Sequence, residues 1–310
     1  MSGRLTQIRR GLSVLPLSIA GALGCVACAS SAAPTSTATR VAQRNAPSHR
    51  ATVASKGGQV VTRAARTRSA NPVPARRGRS VSAQTKPLAG KVVGIDPGHN
   101  GRNFSDPSFI NRLIWNGREQ ETCDTTGTAT NSGYTEARFN FNVARYLARD
   151  LRSAGARVVL TRTTNNGVGP CVTTRAQILN RAHAEVAIDI HADGGPPGGR
   201  GFAILEPVAD GPNDRAIEAS RTFGAVLRQQ YHTVTGMPDS TYDGTNAISY
   251  RNDLAGLNLT TVPKVLIECG NMRNATDAAS LVRTPFQRLA ARAFARAITL
   301  FLTHHRSVGA

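Results

Sequence analysis

Acidic residues are missing from the first 95 positions of this 310-residue chain, where the first carboxylate is Asp96. Residues 1–87 contain 14 Lys and Arg and so carry a net charge of +14. The rest of the chain has 24 Lys and Arg against 19 Asp and Glu, a net charge of +5. A polar segment with charge of one sign cannot bury enough apolar surface to offset the entropy of ordering it. The basic character of the chain therefore describes its N-terminal part, and we expect one folded domain after it.

A hydrophobic run long enough to span a membrane is also missing from the N-terminal part. The apolar stretch at residues 12–29 contains Pro16 and falls short of the roughly 20 residues that a membrane helix needs. Positive charges at Arg4, Arg9 and Arg10 precede it, and small residues suited to cleavage follow, which is the pattern of a secretion signal. We therefore expect residues 1–29 to be a signal peptide and the protein to be exported. An uncleaved anchor, a cytosolic start and lipid attachment at Cys25 are the alternatives.

The chain has only five cysteines, and they lie in three different sequence contexts. Cys25 and Cys28 fall in the predicted signal peptide. Cys123 and Cys171 lie in loop-like sequence rich in Thr and Gly, and in an oxidising compartment such a pair favours a disulfide over two free surface thiols. Cys269 ends an apolar strand and is predicted to be a buried thiol.

Hydrophobic periodicity is absent from residues 30–88, which are mostly Ala, Ser, Thr, Pro and Arg and are typical of a disordered basic linker. From residue 89 to about 305, short apolar strands alternate with amphipathic helices. The strands are predicted at 92–95, 157–161, 186–190, 202–205 and 265–267, and the helices at 135–154, 173–184, 213–234, 275–282 and 285–303. Residues 100–133 form a long polar stretch between them, which reads as a loop. This order predicts a single α/β domain with a mainly parallel sheet covered by helices on both faces.

Four polar residues fall at the ends of these elements. His99, His191 and Glu268 each follow a predicted strand, and functional sites of open α/β sheets gather where strands end. Glu136 joins them from the first turn of a helix. Two histidines and one carboxylate suit a catalytic zinc ion with an open fourth position, and a second carboxylate is then needed to move a proton. Taken singly, each residue also has a structural explanation, such as a turn, a strand end or a favourable place at a helix N-terminus.

Four segments resemble, in order, the signature blocks of the zinc-dependent N-acetylmuramoyl-L-alanine amidases. They are residues 94–99 (GIDPGH), 135–140 (TEARFN), 188–193 (IDIHAD) and 265–272 (VLIECGNM). The resemblance covers Lys91 to about Leu302 and is closest to the type without a separate wall-binding domain. One departure is Asn100-Gly101 after the first histidine, where many members have Gly directly.

The resemblance implies a role for each of the four residues. His99, Glu136 and His191 would hold one Zn²⁺ per chain, and Glu268 would act as the general base. The implied fold is a twisted, mostly parallel sheet of about six strands between helices. The implied reaction is hydrolysis of the amide between N-acetylmuramic acid and the L-alanine of the stem peptide, by a water that zinc activates. Another zinc-dependent peptidoglycan peptidase or deacetylase, and a non-catalytic wall-binding regulator, are the alternatives.

The surroundings of the site carry further expectations. Arg251, Asn252 and Asp253 follow a polar loop that the resemblance places on the substrate side, and Asp193 is a candidate to orient a histidine ligand. A short Gly/Pro loop after Asp193 leaves little room for the helix that plugs the site in some members, so no activator protein should be required. We expect an exported protein that is periplasmic, associated with the cell wall or secreted. Its expected partner is peptidoglycan or its fragments, without nucleic acid, and it should be a monomer. The basic linker is either a spacer or an electrostatic contact for anionic wall polymers.

Overall fold

The computed structural model describes residues 86–304, so the predicted signal peptide and nearly all of the predicted linker lie outside the described residues. The strands are β1 (Val92–Pro97), β2 (Leu113–Trp115), β3 (Gln120–Thr122), β4 (Arg157–Leu160), β5 (Val186–Asp193), β6 (Ala203–Pro207), β7 (Ile248–Arg251) and β8 (Lys264–Asn271). The helices are α1 (Pro107–Ile110), α2 (Glu136–Ser153), α3 (Val172–Arg181), α4 (Ile217–Thr235), α5 (Ala255–Asn258), α6 (Ala275–Leu281) and α7 (Thr284–His304). Within residues 86–304, none of the helices has the length and apolar character needed to cross a bilayer.

Six strands form one sheet in the order β4-β1-β5-β8-β6-β7. All neighbouring pairs are parallel except β6 and β8, which are antiparallel. This confirms the predicted α/β fold and its mostly parallel sheet. The central strands β1, β5 and β8 are almost entirely buried, which explains their continuous apolar sequence. Their carboxyl ends lie side by side at one edge of the sheet.

The main hydrophobic core lies between the sheet and a layer formed by α2, α4 and α7. Helix α2 shows why: Phe139, Val143, Leu147 and Leu151 recur every four residues and are fully buried against the sheet. Burying each such side chain contributes about 1.5–3 kcal/mol. Leu88 is also part of this core, so the folded body includes the end of the segment that the sequence assigned to the linker. On the opposite face, α5 packs over a smaller cluster around Leu257, and α3 packs against α5.

Several short elements were not predicted from the sequence. The polar stretch at residues 100–133 contains α1 and an antiparallel hairpin of β2 and β3, and the polar loop before β8 contains β7 and α5. These elements are only three or four residues long, which is too short to show hydrophobic periodicity. Strands β5 and β8 also run further than predicted, so His191 and Glu268 lie within strands rather than after them.

Candidate metal and catalytic site

Four elements deliver the predicted residues to the carboxyl edge of the central strands. His99 follows β1, Glu136 begins α2, His191 lies in β5 and Glu268 lies in β8. Gly98 makes the close approach of β1 and β5 possible, because any side chain there would collide with the imidazole of His191. The structure thus brings together all four residues, which are far apart in the sequence.

The two histidines and Glu136 form a cluster whose potential ligand atoms all lie within 4.8 Å of one another. Glu136 Oε1 is 2.8 Å from His191 Nδ1, and Glu136 Oε2 is 3.4 Å from His99 Nε2. The two imidazole rings are 4.9 Å apart, centre to centre, and nearly perpendicular. One nitrogen of each ring and one carboxylate therefore converge on a single point, which is a donor set suited to a divalent metal such as zinc.

The electrostatics of this cluster favour a cation. Burial lowers the pKa of His99, but the carboxylates of Glu136 and Asp124 outweigh it and raise that pKa to about 9. Burial raises the pKa of Glu136, yet the two histidines hold it well below its usual range. An ionised carboxylate thus attracts positive charge to both rings. A metal ion binding here would displace the protons from the rings.

The second nitrogen of each ring also meets a carboxylate, which the sequence analysis did not identify. His99 Nδ1 is 3.2 Å from Asp124 Oδ1, and His191 Nε2 is 3.3 Å from Asp189 Oδ1. Contacts of this kind fix the orientation of a metal-ligating imidazole. Asp193, the candidate named from the sequence, instead accepts a hydrogen bond from the backbone N–H of Gly194. The strand period could have pointed to Asp189, which lies two residues before His191 on the same face of β5.

The two carboxylates, Asp124 and Asp189, belong to a larger set of buried charges that we call the charge network. Its other members are Asp96, Arg175 and Lys264. The Lys264 ammonium is 2.8 Å from Asp96 and 2.9 Å from Asp189. The Arg175 guanidinium is 3.0 Å from Asp96 and 3.3 Å from Asp124. Each charge has at least one opposite partner, and the chain of contacts connects the two imidazoles from behind.

Glu268 has a different environment from these paired carboxylates. It is the register partner of His191 on β5 and of Ala203 on β6, so it lies beside the histidine cluster. Its Oε2 atom is buried and has no hydrogen-bond partner within residues 86–304. Burial raises the pKa of Glu268 well above its usual range, and the carboxylates of Glu136 and Asp193 add to this while His191 opposes it. A carboxyl group in such surroundings is suited to exchanging a proton.

The predicted substrate segment lies at the end of β7. Arg251 forms a two-pronged ion pair with Asp253, with both N–O distances at 2.7 Å. The carbonyl oxygen of Asp253 accepts a hydrogen bond from the Asn116 side chain in the β2–β3 hairpin. The carbonyl oxygen of Asn252 accepts one from Asn258 of α5. The segment is therefore anchored to the two short elements that flank the site.

A cavity of about 210 Å³ lies beside the histidines, on the side of Asp124 and Asp189. Apolar side chains including Leu254, Leu257 and Leu266 form much of its lining. Near its rim, Cys123 and Cys171 lie with their Cα atoms 4.9 Å apart.

Comparisons with known proteins agree on one family. Residues 93–300 match the profile described as N-acetylmuramoyl-L-alanine amidase. The chain is 39% identical over 226 residues to the N-acetylmuramoyl-L-alanine amidase Rv3717 of Mycobacterium tuberculosis, covering 72% of this chain and 91% of that protein.

Solved structures give the same result. The amidase Ami1 of Mycobacterium smegmatis is 38% identical, with a TM-score of 0.66 over 70% of this chain and 99% of that one. The apo form of Ami1 from Mycobacterium abscessus is also 38% identical, with a TM-score of 0.65 over 69% and 100%.

Proposed function

The chain belongs to the N-acetylmuramoyl-L-alanine amidase family, and from this premise we propose how its own residues carry the reaction. It is a peptidoglycan hydrolase that cleaves the amide between N-acetylmuramic acid and the L-alanine of the stem peptide. We assign Zn²⁺ binding to His99, Glu136 and His191, and the general base to Glu268. The observation that carries this assignment is the contrast between Glu136, which contacts both imidazoles, and Glu268, which has an unpaired buried oxygen beside them.

The ligand assignment is supported by the way each group is held. Glu136 Oε2 accepts a hydrogen bond of 2.9 Å from the backbone N–H of Thr128, and the side chain of Asn140 donates to Oε1. These bonds fix the carboxylate in one orientation before any metal arrives. A prearranged set of three ligands leaves a fourth position for water or substrate, as catalytic zinc sites require.

The proton path in this proposal runs through Glu268. When bound, zinc supplies a Lewis acid that lowers the pKa of a water and polarises the scissile carbonyl. The Glu268 carboxylate takes the proton from the attacking water, and Oε2 is the oxygen free to receive it. The same proton then passes to the leaving nitrogen as the C–N bond breaks. The products are a lactyl carboxylate on the sugar and a free amine on L-alanine.

The test combines metal analysis with mass spectrometry of products from intact peptidoglycan. We expect about one zinc per chain and fragments that carry a free lactyl carboxylate or a new L-alanine N-terminus. Fragments cut within the stem peptide, or sugars that have lost only acetyl groups, would overturn the amidase assignment. A His99→Ala variant should lose zinc and turnover together, whereas His232→Ala, which changes an exposed histidine near the end of α4, should retain both.

We further propose a disulfide between Cys123 and Cys171. Their Cα separation of 4.9 Å lies within the range that a disulfide spans. The bond would join the segment that carries Asp124 to the start of α3, which carries Arg175, and so would hold the Asp124–Arg175 pair together. Non-reducing peptide mapping should recover the two cysteines in one linked peptide, and recovery of both as free thiols would contradict the proposal.

We also propose that the enzyme is exported and acts as a monomer on peptidoglycan without an activator. No helix interrupts residues 194–202, which connect β5 to β6 in the described structure. Arg251, Asn252 and Asp253 are proposed substrate contacts beside the site. The role of the basic linker as a contact for anionic wall polymers falls on residues outside those described. The purified protein should cleave muropeptides alone, and a requirement for a second protein would refute this.

A further inference from the structure

A second cleft lies away from the catalytic site, at the edge of the sheet formed by β6 and β7 and under α4. Its volume is about 340 Å³, and its lining includes Glu206, Arg221, Arg228 and Tyr250. Glu206 lies on β6, three residues beyond Ala203, the register partner of Glu268. Because side chains alternate along a strand, Glu206 faces α4, whereas Leu205 faces the cluster next to the catalytic cavity. The cleft is therefore on the opposite face of the sheet.

The carboxyl group of Glu206 is the notable feature of this cleft. The residue is only 3% exposed, yet its carboxyl group has no hydrogen bond or ion pair with any group in residues 86–304. Burial raises the pKa of Glu206 to about 7, and the charge of Arg221 acts in the opposite direction. Buried carboxylates are normally paired, because an unpaired one destabilises the fold. An unpaired one that lines an open cleft is available to a ligand.

The helix above the cleft is shaped around this carboxyl group. Gly224 lies inside α4, where glycine is a poor helix former. A side chain at that position would strike the Glu206 carboxylate, and Glu206 provides the nearest three atoms. Two destabilising features therefore occur together, a glycine within a helix and an unpaired buried carboxyl group. Both leave space around the Glu206 carboxylate in the cleft.

The rim of the cleft has the opposite charge. Arg228 pairs with Asp239 through its guanidinium, but its buried Nε has no hydrogen-bond partner among the described residues. Arg221 is exposed, and its guanidinium carbon lies 5.4 Å from the ring centre of Tyr250. Tyr250 is the register partner of Glu206 and is 61% exposed. One buried carboxyl group therefore lies below two guanidinium groups and an aromatic ring.

We propose that this cleft binds the free N-terminal end of a short acidic peptide. The peptide ammonium would pair with Glu206, and a peptide carboxylate would pair with Arg221 and Arg228. The tyrosine ring would cover the apolar part of the first residue. A ligand with only a positive charge would be repelled by the arginines, and one with only a negative charge would be repelled by Glu206.

The reaction of the enzyme generates a ligand of this class. Cleavage of the amide releases stem peptides whose L-alanine carries a new ammonium group, and the C-terminus of such a peptide supplies a carboxylate. This choice of source rests on the proposed function, but the chemistry of the cleft does not. The cleft would hold a released stem peptide while the catalytic site acts on another.

The experiment is calorimetric titration of the zinc-loaded full chain with L-alanyl-D-glutamate, with its N-acetyl derivative as the matched ligand lacking the ammonium. We expect the dipeptide to bind and the acetylated form to bind at least tenfold more weakly. Glu206→Gln should weaken dipeptide binding at least tenfold, and Gly224→Ala should weaken it because the methyl displaces the carboxyl group. Glu218→Gln, an exposed carboxylate on the same helix, should leave binding unchanged.

The outcomes separate this proposal from the catalytic one. Glu206→Gln should cleave peptidoglycan as the unmodified protein does, and its circular dichroism should be unchanged. Equal affinity of Glu206→Gln and unmodified protein would overturn the proposal, as would no binding at millimolar dipeptide. Binding that is lost on zinc removal but kept in Glu206→Gln would place the dipeptide in the catalytic site. If the amidase assignment failed while Glu206-dependent binding persisted, the cleft would stand and only the source of its ligand would change.

Discussion

The buried charges of the protein fall into two regions with opposite character. In the charge network behind the histidines, Lys264 contacts Asp96 and Asp189, and Arg175 contacts Asp96 and Asp124, all at 3.3 Å or less. At Glu268, one carboxylate oxygen is buried without a hydrogen-bond partner among the described residues. The carboxyl group of Glu206 in the second cleft has no hydrogen bond or ion pair with those residues either.

This difference separates paired charges, which stabilise the fold, from unpaired carboxyl groups, which bind a proton or a ligand. Paired buried charges keep side chains in one position, and removing one partner leaves the other uncompensated. Unpaired carboxyl groups are held in an unfavourable state that a proton or a ligand can relieve. Substitutions in the first region should therefore cost stability, whereas substitutions in the second should cost function and leave stability intact or improved.

Replacing Glu268 with Gln tests the unpaired region where the expected effect is largest. The amide cannot accept the proton from water, so kcat should fall by at least about a thousandfold. Zinc content should be unchanged, and the unfolding temperature should stay the same or rise because a buried charge is gone. Metal analysis, turnover of muropeptides and calorimetry give the three readouts. Loss of zinc in this variant would mean that Glu268 is a metal ligand, and its carboxylate would then no longer count as unpaired.

Replacing Lys264 with Met tests the paired region. Asp96 and Asp189 would lose their shared ammonium, and the free energy of unfolding should fall by roughly 3–5 kcal/mol. Urea unfolding of both proteins measures this. The control is Lys91→Met, which breaks the half-exposed pair with Glu185 and should cost at most about 1 kcal/mol. Equal losses in the two variants would show that the network does not stabilise the fold.

Replacing Asp124 with Asn measures how the network acts on the metal. The His99 imidazole would lose its carboxylate partner, and zinc affinity should fall by about 10- to 100-fold. Competition with a chelator measures the affinity. Asp193→Asn is the matched control, because Asp193 bonds to Gly194 rather than to an imidazole. If Asp193→Asn weakened zinc binding as much as Asp124→Asn, the contact between Asp124 and His99 would have no special role in zinc binding.

The smallest expected effect is the change in the free energy of unfolding with pH that arises from Glu206 in the second cleft. The pKa of Glu206 is raised by burial to about 7 from an ordinary value of 4.5, so the folded protein holds this proton more tightly than the unfolded chain. The resulting stabilisation is complete below pH 4.5 and is lost as pH rises through about 7. Because solvent in the open cleft screens the charge, we expect roughly 1–2 kcal/mol.

The Glu206→Gln variant should lack this part of the pH dependence. Unfolding free energies at pH 5 and pH 8 should differ less in Glu206→Gln than in the unmodified protein. Glu218→Gln, on the exposed side of α4, serves as the reference and should keep the full difference. An unchanged difference in Glu206→Gln would mean that the carboxyl group titrates normally.

Much of the fold could be predicted because the long elements bury a periodic apolar face. Helix α2 and the central strands are defined by the spacing of residues such as Phe139, Val143 and Leu147. The hairpin of β2 and β3 could not be found this way, since Leu113 and Trp115 remain exposed and its strands have three residues each. These short elements are held by contacts with distant parts of the chain, which local sequence does not encode.

The candidate site divides in the same way. The four residues His99, Glu136, His191 and Glu268 could be named because they interrupt apolar elements and match family segments. The charge network could not be named, because it depends on register: Asp96 and Asp189 become neighbours only when β1 pairs with β5. Asp124 reaches His99 from the end of the unpredicted hairpin, and its partner Arg175 lies inside helix α3.

The register between β5 and β8 has a consequence for how such an enzyme can change. His191 and Glu268 are direct neighbours on adjacent parallel strands, so the hydrogen-bond spacing of the sheet, about 4.8 Å, sets the distance between them. The loops, the hairpin and the segment at Arg251 do not enter that distance. Insertions and substitutions in the surrounding loops can therefore change substrate preference, while the distance between the histidine and the glutamate stays the same.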